Sequence, residues 1–191
     1  AIETKDIAAM STTQLGALST AQLAAISTKD IAAMSTAQLG ALSTTSFAAL
    51  KTAQITAMST AQVGALAANM STTQIGALTV AQTAGLSTTV LGSLSTTQLQ
   101  AISTKDIAAL STAQAAGLST TVLSNLSTAQ LKAIETKDIA AMSTTQLGAL
   151  TTAQVGILAT AQIAALSSTQ IGSLGAKFTT GQISALSTAQ A

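Results

Sequence analysis

The chain has 191 residues, contains no Cys, His, Pro, Trp or Tyr, and carries a formal net charge of +1 at pH 7. Without Cys and His it has no disulfides, no thiolate or imidazole metal ligands, and no catalytic triads or dyads built on those residues. The low charge, the lack of Arg, Trp and Tyr, and the presence of only two Phe exclude the usual surfaces of proteins that bind nucleic acids or anionic membranes. We therefore expect no enzyme activity, no catalytic, cofactor-binding or metal-binding residues, and no nucleic-acid partner.

An eight-residue repeat runs from Glu3 to Leu186 in 22 complete copies. Its pattern is Ser, Thr, small, Gln, aliphatic, small, Ala, aliphatic, numbered here as positions 1 to 8, and residues 143–150 are a typical copy. Position 8 is Leu, Ile or Met in every copy, whereas position 4 is Gln in 15 copies and Asp in four. The spacing of the aliphatic positions alternates between three and five residues, so an apolar stripe would wind around a continuous helix and would point to both faces of a strand.

The octad instead fits one short helix per copy. Ser at position 1 and Gln at position 4 form the capping-box pattern, in which each side chain bonds the backbone N–H of the other residue. The aliphatic residue before the cap and the one at position 5 form the hydrophobic staple that fixes how the chain enters the helix. We predict an all-α solenoid of short capped helices, one per octad. A β-solenoid is the alternative, which the sequence disfavours because β-branched residues do not alternate with a period of two.

Four extra residues interrupt the octads twice, at 67–70 and at 175–178. Four residues are about one helical turn, and both inserts end in a large apolar residue at helical spacing from the aliphatics before it. We predict that each insert lengthens its helix by one turn, although Gly175 could instead end the second helix. The domain prediction is a single tandem-repeat segment over residues 1–191.

The number of helices per coil is estimated from periods longer than the octad. Residues 79–110 resemble residues 111–142 beyond the octad pattern, which gives a 32-residue period and four helices per coil. The Lys-Asp pairs at 5–6 and 29–30 lie 24 residues apart, which suits three helices per coil. We predict about four helices per coil, with three as the alternative.

Lys-Asp pairs are the only recurrent charges, at 5–6, 29–30, 105–106 and 137–138. These pairs stand at the second and third positions of a capped helix, where the negative charge of Asp suits the helix dipole. We interpret them as a solvated surface feature, and not as a site for ions or sugars. Glu3 and Glu135 replace the position-1 Ser beside such pairs. No cleft, second acid or polar neighbourhood in the sequence supports a catalytic carboxylate dyad there.

Two sequence patterns have alternative interpretations. Asn69-Met70-Ser71 and Asn125-Leu126-Ser127 match the N-glycosylation pattern, but we predict that Met70 and Leu126 belong to the core. The other methionines stand where Leu stands in other copies and are predicted core fillers, namely Met10, Met34, Met58 and Met142.

The cleanest copy of the consensus is Met34-Ser35-Thr36-Ala37-Gln38-Leu39-Gly40-Ala41-Leu42. It resembles the capped opening helix of TAL-effector DNA-binding repeats. The second helix and the base-reading loop of those repeats are absent here, so DNA recognition does not carry over. Over its whole length the chain resembles the Ser/Thr-Ala-Gln-rich octapeptide arrays of very large secreted or cell-surface proteins of bacteria. This resemblance implies an extracellular structural role.

Together these patterns predict a structural repeat protein that forms a rod, stalk or self-assembling extracellular fibre. The alternative is an adhesive solenoid module that binds a glycan or a surface partner. We expect end-to-end self-association, because no polar capping unit closes the array. Since Ala1 is already in phase with the repeat, we also expect a segment of a longer array. No apolar run is long enough for a transmembrane helix, so we expect no membrane insertion of this segment.

Overall fold

The computed structural model describes residues 4–190, and that range contains 22 short α-helices and no strand. Each complete octad forms one helix, which begins at position 2 and ends at position 6, 7 or 8. The prediction of an all-α solenoid with one short helix per octad is therefore confirmed.

The chain divides into two compact units, residues 1–102 and residues 103–191. The helices of the first unit are α1 Thr4–Ala9, α2 Thr12–Gly16, α3 Thr20–Ala25, α4 Thr28–Ala33, α5 Thr36–Gly40, α6 Thr44–Ala48, α7 Thr52–Thr56, α8 Thr60–Leu66, α9 Thr72–Gly76, α10 Val80–Ala84, α11 Thr88–Ser93 and α12 Thr96–Ala101. Those of the second unit are α13 Thr104–Ala108, α14 Thr112–Gly117, α15 Thr120–Asn125, α16 Thr128–Ala133, α17 Thr136–Ala140, α18 Thr144–Gly148, α19 Thr152–Gly156, α20 Thr160–Ala164, α21 Ser168–Leu174 and α22 Thr180–Ser184. The prediction of one continuous segment over residues 1–191 stays a prediction.

Capping boxes begin most of the helices, as predicted. In α2 the Ser11 hydroxyl accepts from the backbone N–H of Gln14 at 3.2 Å, and the Ser11 N–H donates to Oε1 of Gln14 at 2.8 Å. The cap residue is extended, with φ −68° and ψ 158°, so the chain turns immediately before the helix. Lys51 and Ala159 have no hydroxyl, and their backbone N–H groups donate to the Gln side chain at 2.7 and 2.9 Å without the reciprocal bond.

The aliphatic residues at positions 5 and 8 form the core of each unit. Burying each of these side chains stabilises the fold by about 1.5 to 3 kcal/mol. A helix this short is unstable alone, so it depends on that burial. Positions 6 and 7 are small because the helices approach closely there. A Cβ added at Gly76 would lie 3.2 Å from the Ala101 carbonyl oxygen. The methionines predicted as core fillers are buried at Met34, Met58, Met70 and Met142, whereas Met10 is half-buried.

Where no insert intervenes, a helix packs against the third helix after it. In the first unit α1 contacts α4, α5 contacts α8 and α9 contacts α12. In the second unit α13 contacts α16, α14 contacts α17 and α18 contacts α21. These contacts correct our estimate of about four helices per coil, because they fit the alternative of three. The resemblance between 79–110 and 111–142 therefore does not report the stacking period.

The two inserts form tight turns that each occupy the place of a whole helix. Ala67–Asn69 is a 3-10 turn that contacts α6 and α11, so it counts as one step in the three-helix stacking. The second 3-10 turn, Gly175–Lys177, contacts α19 in the same way. Neither insert continues an α-helix by a full turn, which corrects that prediction. Gly175 has φ +58° and ends α21, as the alternative anticipated.

Candidate functional site

A row of hydrogen bonds from position-4 glutamines joins successive coils, and we call it the glutamine ladder. Oε1 of Gln54 caps its own helix, while Nε2 donates to the carbonyl oxygens of Leu23 at 2.9 Å and Ile26 at 2.8 Å. The last carbonyls of a helix lack partners within that helix, and a buried amide NH₂ needs acceptors. Gln54 is only 2% exposed, so one side chain satisfies both requirements away from water.

The same bond recurs through both units. Its donors are Gln38, Gln54, Gln62, Gln74, Gln82 and Gln98 in the first unit and Gln146, Gln154, Gln162, Gln170, Gln182 and Gln190 in the second. Lys177 replaces Gln in one place, where Nζ donates to the carbonyls of Gly148 at 2.7 Å and Leu150 at 2.8 Å. Each donor reaches the last turn of the fourth repeat before it, with the inserts counted as repeats.

The ladder also shows what the inserts are. Gln98 donates to the carbonyls of Ala67, Ala68 and Met70, the acceptors that positions 5, 6 and 8 supply elsewhere. Ala67 and Met70 are buried, as residues at positions 5 and 8 are. The first insert, 67–70, is therefore a half-octad, which keeps positions 5 to 8 and lacks the capping half. In the second insert no residue is buried, and Lys177 supplies a ladder donor instead.

The capping-box pattern predicts only one bond for the position-4 Gln, so it did not predict the ladder. Asp in the first turn is also favoured by the helix dipole, yet Gln occupies position 4 in 15 copies and Asp in four. The preference for Gln indicates that its side-chain NH₂ group, and not only its oxygen, forms a hydrogen bond.

The Lys-Asp pairs are partly buried, which corrects their interpretation as a solvated feature. Asp30, Asp106 and Asp138 are buried, while the neighbouring lysines and Asp6 are exposed. Ser27 and Ser103, the cap residues, donate their hydroxyls to Asp30 and Asp106 at 2.7 and 2.6 Å. The Thr112 hydroxyl donates to Asp138 at 2.6 Å from the helix three before it. These carboxylates hold caps and coils together.

Hydrogen bonding shifts the titration of two of the charged groups. The bonds from the Ser27 hydroxyl and then from Thr4 hold the pKa of Asp30 below its ordinary value of 3.8. Glu135 stands at the cap of α17 without a side-chain cap bond and forms an exposed ion pair with Lys137. The hydrogen bond to Glu135 raises the pKa of Lys137.

The structure also bears on the other residues that the sequence singled out. Glu3 lies outside the described residues. Asn69 is exposed and Asn125 is half-buried, while Met70 and Leu126 are buried, so the prediction that these two belong to the core is confirmed. Across residues 4–190, no three acidic side chains come together as a metal site would require. In the same range no helix has the length and hydropathy to cross a bilayer.

The outermost coils expose opposite parts of the repeat. In the first coil the position-8 side chains Met10, Leu18 and Ile26 are half-buried, although this position is buried from Met34 to Leu174. In α22 the position-5 residue Ile183 is 56% exposed, whereas the other position-5 residues in the described range are at most 7% exposed. Position 8 thus packs toward the preceding coil, and position 5 packs toward the following coil.

A cleft of about 300 Å³ opens on the face of the first coil. Its apolar lining includes Ile7, Leu18 and Ile26, and Gln22 and Asp30 lie beside them. Gln22 caps α3 and is exposed, with no ladder acceptor among residues 4–190. The first-coil face therefore presents an apolar cleft with an amide that forms no ladder bond.

The repeat pattern matches a known family. The model of the ALTTAQ repeat matches residues 1–36, 31–68, 91–120 and 131–168, which together are more than half of the chain. The chain belongs to the ALTTAQ repeat family. Residues 149–154 of this ALTTAQ chain read Ala-Leu-Thr-Thr-Ala-Gln, which joins the end of one octad to the capping half of the next. A comparison with curated proteins finds no similar sequence.

Proposed function

We propose that this ALTTAQ chain is a structural spacer without catalytic activity, which contributes a rod, stalk or fibre segment to a larger assembly. The glutamine ladder carries the proposal, because the same joint recurs through both units. A solenoid held by one repeated joint can be lengthened by adding octads without any new contact. The buried carboxylates of Asp30, Asp106 and Asp138 are consistent with this role, since their bonds hold the repeats.

Deletion of one coil tests the spacer function. A variant without residues 35–58 loses three octads, and the remaining octads keep the same phase. We expect its maximum dimension in small-angle X-ray scattering to fall by one helix layer, about 8 to 10 Å. The circular dichroism per residue should stay helical. An unchanged maximum dimension with intact helicity would contradict a spacer.

The proposal includes end-to-end self-association and a bacterial extracellular or cell-surface location. The repeated joint supports the first part, because the contact that stacks coils within each unit is the same throughout and could also form between molecules. The location rests on the resemblance to secreted octapeptide arrays. Fractionation of cells that make the protein tests it, and recovery of the protein only in the cytoplasm would contradict it.

An adhesive module that binds a glycan or surface partner is the alternative. Exposed hydroxyls at positions 2 and 3 favour it, because residues such as Thr36, Thr44 and Thr45 present donors and acceptors to solvent. Glycan-array binding that is lost in folded variants with Ala at these positions would support adhesion. Absence of glycan binding by the folded chain would contradict the adhesive alternative and leave the spacer function as the proposal.

A further inference from the structure

We infer that a row of exposed lysines on one stack of helices in the first unit binds an acidic polysaccharide with widely spaced carboxylates. The row consists of Lys5, Lys29 and Lys51, and we call it the lysine row. This inference rests on the adhesive alternative, for which it names a surface and a class of glycan. The spacer function does not depend on it.

The three-helix stacking brings the lysines of the first unit together. Lys5 lies in α1, Lys29 lies in α4, and Lys51 stands at the cap of α7. Because α4 contacts both α1 and α7, lysines that are distant in the sequence lie on successive coils of one stack. All three are exposed, and the first unit has no lysine in another stack. Lys29 lies inside the array, so its exposure belongs to the repeat itself.

The fold also separates the two charges of the Lys-Asp pair in α4. Asp30 is only 8% exposed and accepts from the Ser27 hydroxyl at 2.7 Å, whereas Lys29 remains exposed to water. Lys51 has no acidic residue in its octad. Asp6, in α1, is exposed beside the row. The accessible charge of the stack is therefore positive at α4 and α7, although Lys and Asp alternate there in the sequence.

The spacing of the lysines favours one class of polyanion. Packed helices lie about 8 to 10 Å apart, so the row presents about one positive charge in each such interval. A nucleic acid strand carries one phosphate per roughly 3.4 Å, and most of its phosphates would have no partner on this row. Lys also lacks the planar fork with which Arg binds phosphate. A polysaccharide with a carboxylate on every second sugar has the sparser charge that the row can match.

Hydroxyl groups beside the lysines suit the rest of such a ligand. Ser27 and Thr28 precede Lys29, Thr52 follows Lys51, and all three hydroxyl residues are exposed. Hydroxyls both donate and accept hydrogen bonds, as those of sugars do. The helices α1, α4 and α7 expose no large apolar side chain within residues 4–190, so they lack the anchors on which protein partners depend. An acidic polysaccharide therefore fits this surface better than a protein does.

Binding of the full chain to immobilised hyaluronan tests the inference. Hyaluronan carries a carboxylate on every second sugar, and dextran is the uncharged reference. The test variant is Lys29→Gln with Lys51→Gln. The matched control is Lys132→Gln with Lys137→Gln, which removes the same charge from exposed positions in α16 and α17. Those two helices belong to different stacks, because α16 contacts α13 and α17 contacts α14.

We expect the unmodified chain to bind hyaluronan at low salt in preference to dextran. Binding should weaken as salt is added, because the Debye length falls from about 30 Å at 0.01 M to about 8 Å at 0.15 M. The test variant should bind several-fold more weakly, whereas the control and the charge-preserving variant Lys29→Arg with Lys51→Arg should bind like the unmodified chain. Helical circular dichroism of each variant shows that it folds.

Equal losses in the test and control variants would overturn the inference, because they would show attraction to net charge alone. Failure to bind hyaluronan at low salt, or equally tight binding of duplex DNA, would also overturn it. Equal binding of dextran would overturn the lysine row but leave the adhesive alternative in place. None of these results affects the spacer function, which is tested by the deletion of residues 35–58.

Discussion

The side-chain nitrogen Nε2 of Gln54 lies 2.8 Å from the carbonyl oxygen of Ile26, 28 residues earlier in the chain. The bond links the first turn of α7 to the end of α3, while Oε1 of the same side chain caps α7. One amide thus sets both the start of a helix and its contact with the coil beneath.

We predict that Gln54→Glu lowers the free energy of unfolding by about 1 to 3 kcal/mol, the cost of leaving buried polar groups without partners. Glu keeps an oxygen for the Lys51 N–H but presents a second oxygen to the carbonyls of Leu23 and Ile26. Urea unfolding measures the effect. The matched control is Gln14→Glu, because Gln14 is exposed and caps α2 without a ladder acceptor in the described range. Equal losses in both variants would contradict the ladder.

Completing the ladder should stabilise the protein. Ser46, in α6, stands at position 4 of its octad. A Gln at this position would reach the carbonyls of Leu15 and Leu18, four repeats earlier. We expect Ser46→Gln to raise the free energy of unfolding by about 0.5 to 1.5 kcal/mol, the net value of a typical hydrogen bond. Thr45→Gln places the same side chain one residue away at an exposed position. A similar gain from both substitutions would mean that helix propensity, and not the ladder, is responsible.

Asp30 should make stability depend on pH. Its pKa is lowered in the folded protein by the bonds from Ser27 and then Thr4, so its contribution is present above the unfolded pKa of about 3.8. That contribution is lost as the pH falls through the folded pKa. We expect Asp30→Asn to destabilise the protein near neutral pH and to differ less from the unmodified chain in strong acid. Asp6→Asn, at the same octad position but exposed, is the control. Urea midpoints that differ by the same amount at both pH values would contradict the prediction.

Two glycines should respond oppositely to alanine. A Cβ at Gly85 would lie 2.8 Å from the Thr60 Cβ, whereas a Cβ at Gly64 would have no neighbour within 4 Å. We expect Gly85→Ala to destabilise the protein by about 1 to 3 kcal/mol because the packed coils must shift. Gly64→Ala should stabilise α8 by about 0.5 to 1 kcal/mol, since Ala is the better helix former. Thermal unfolding of the two variants checks the sign of each change, and stabilisation of both would show that the coils can separate at Gly85.

The local structure could be predicted from the sequence because the determinants lie within one octad. Ser11 and Gln14 are three residues apart, and their chemistry alone specifies the start of α2. The number of helices per coil could not be predicted, because it depends on the angle at each joint and on contacts about three octads apart. The ladder was missed for the same reason, since the partners of Gln54 lie in a helix that the local pattern does not identify. The burial of Asp138 likewise depends on Thr112 from another helix.

The half-octad at 67–70 indicates which part of the repeat the solenoid can lose. Residues 67–70 retain the buried residues and the carbonyl acceptors and dispense with the cap, yet the stacking continues past them. Deletion of the first four residues of a repeat therefore leaves the following helices able to stack in the same coil. An array with this fold can therefore differ in length by half a repeat and still stack.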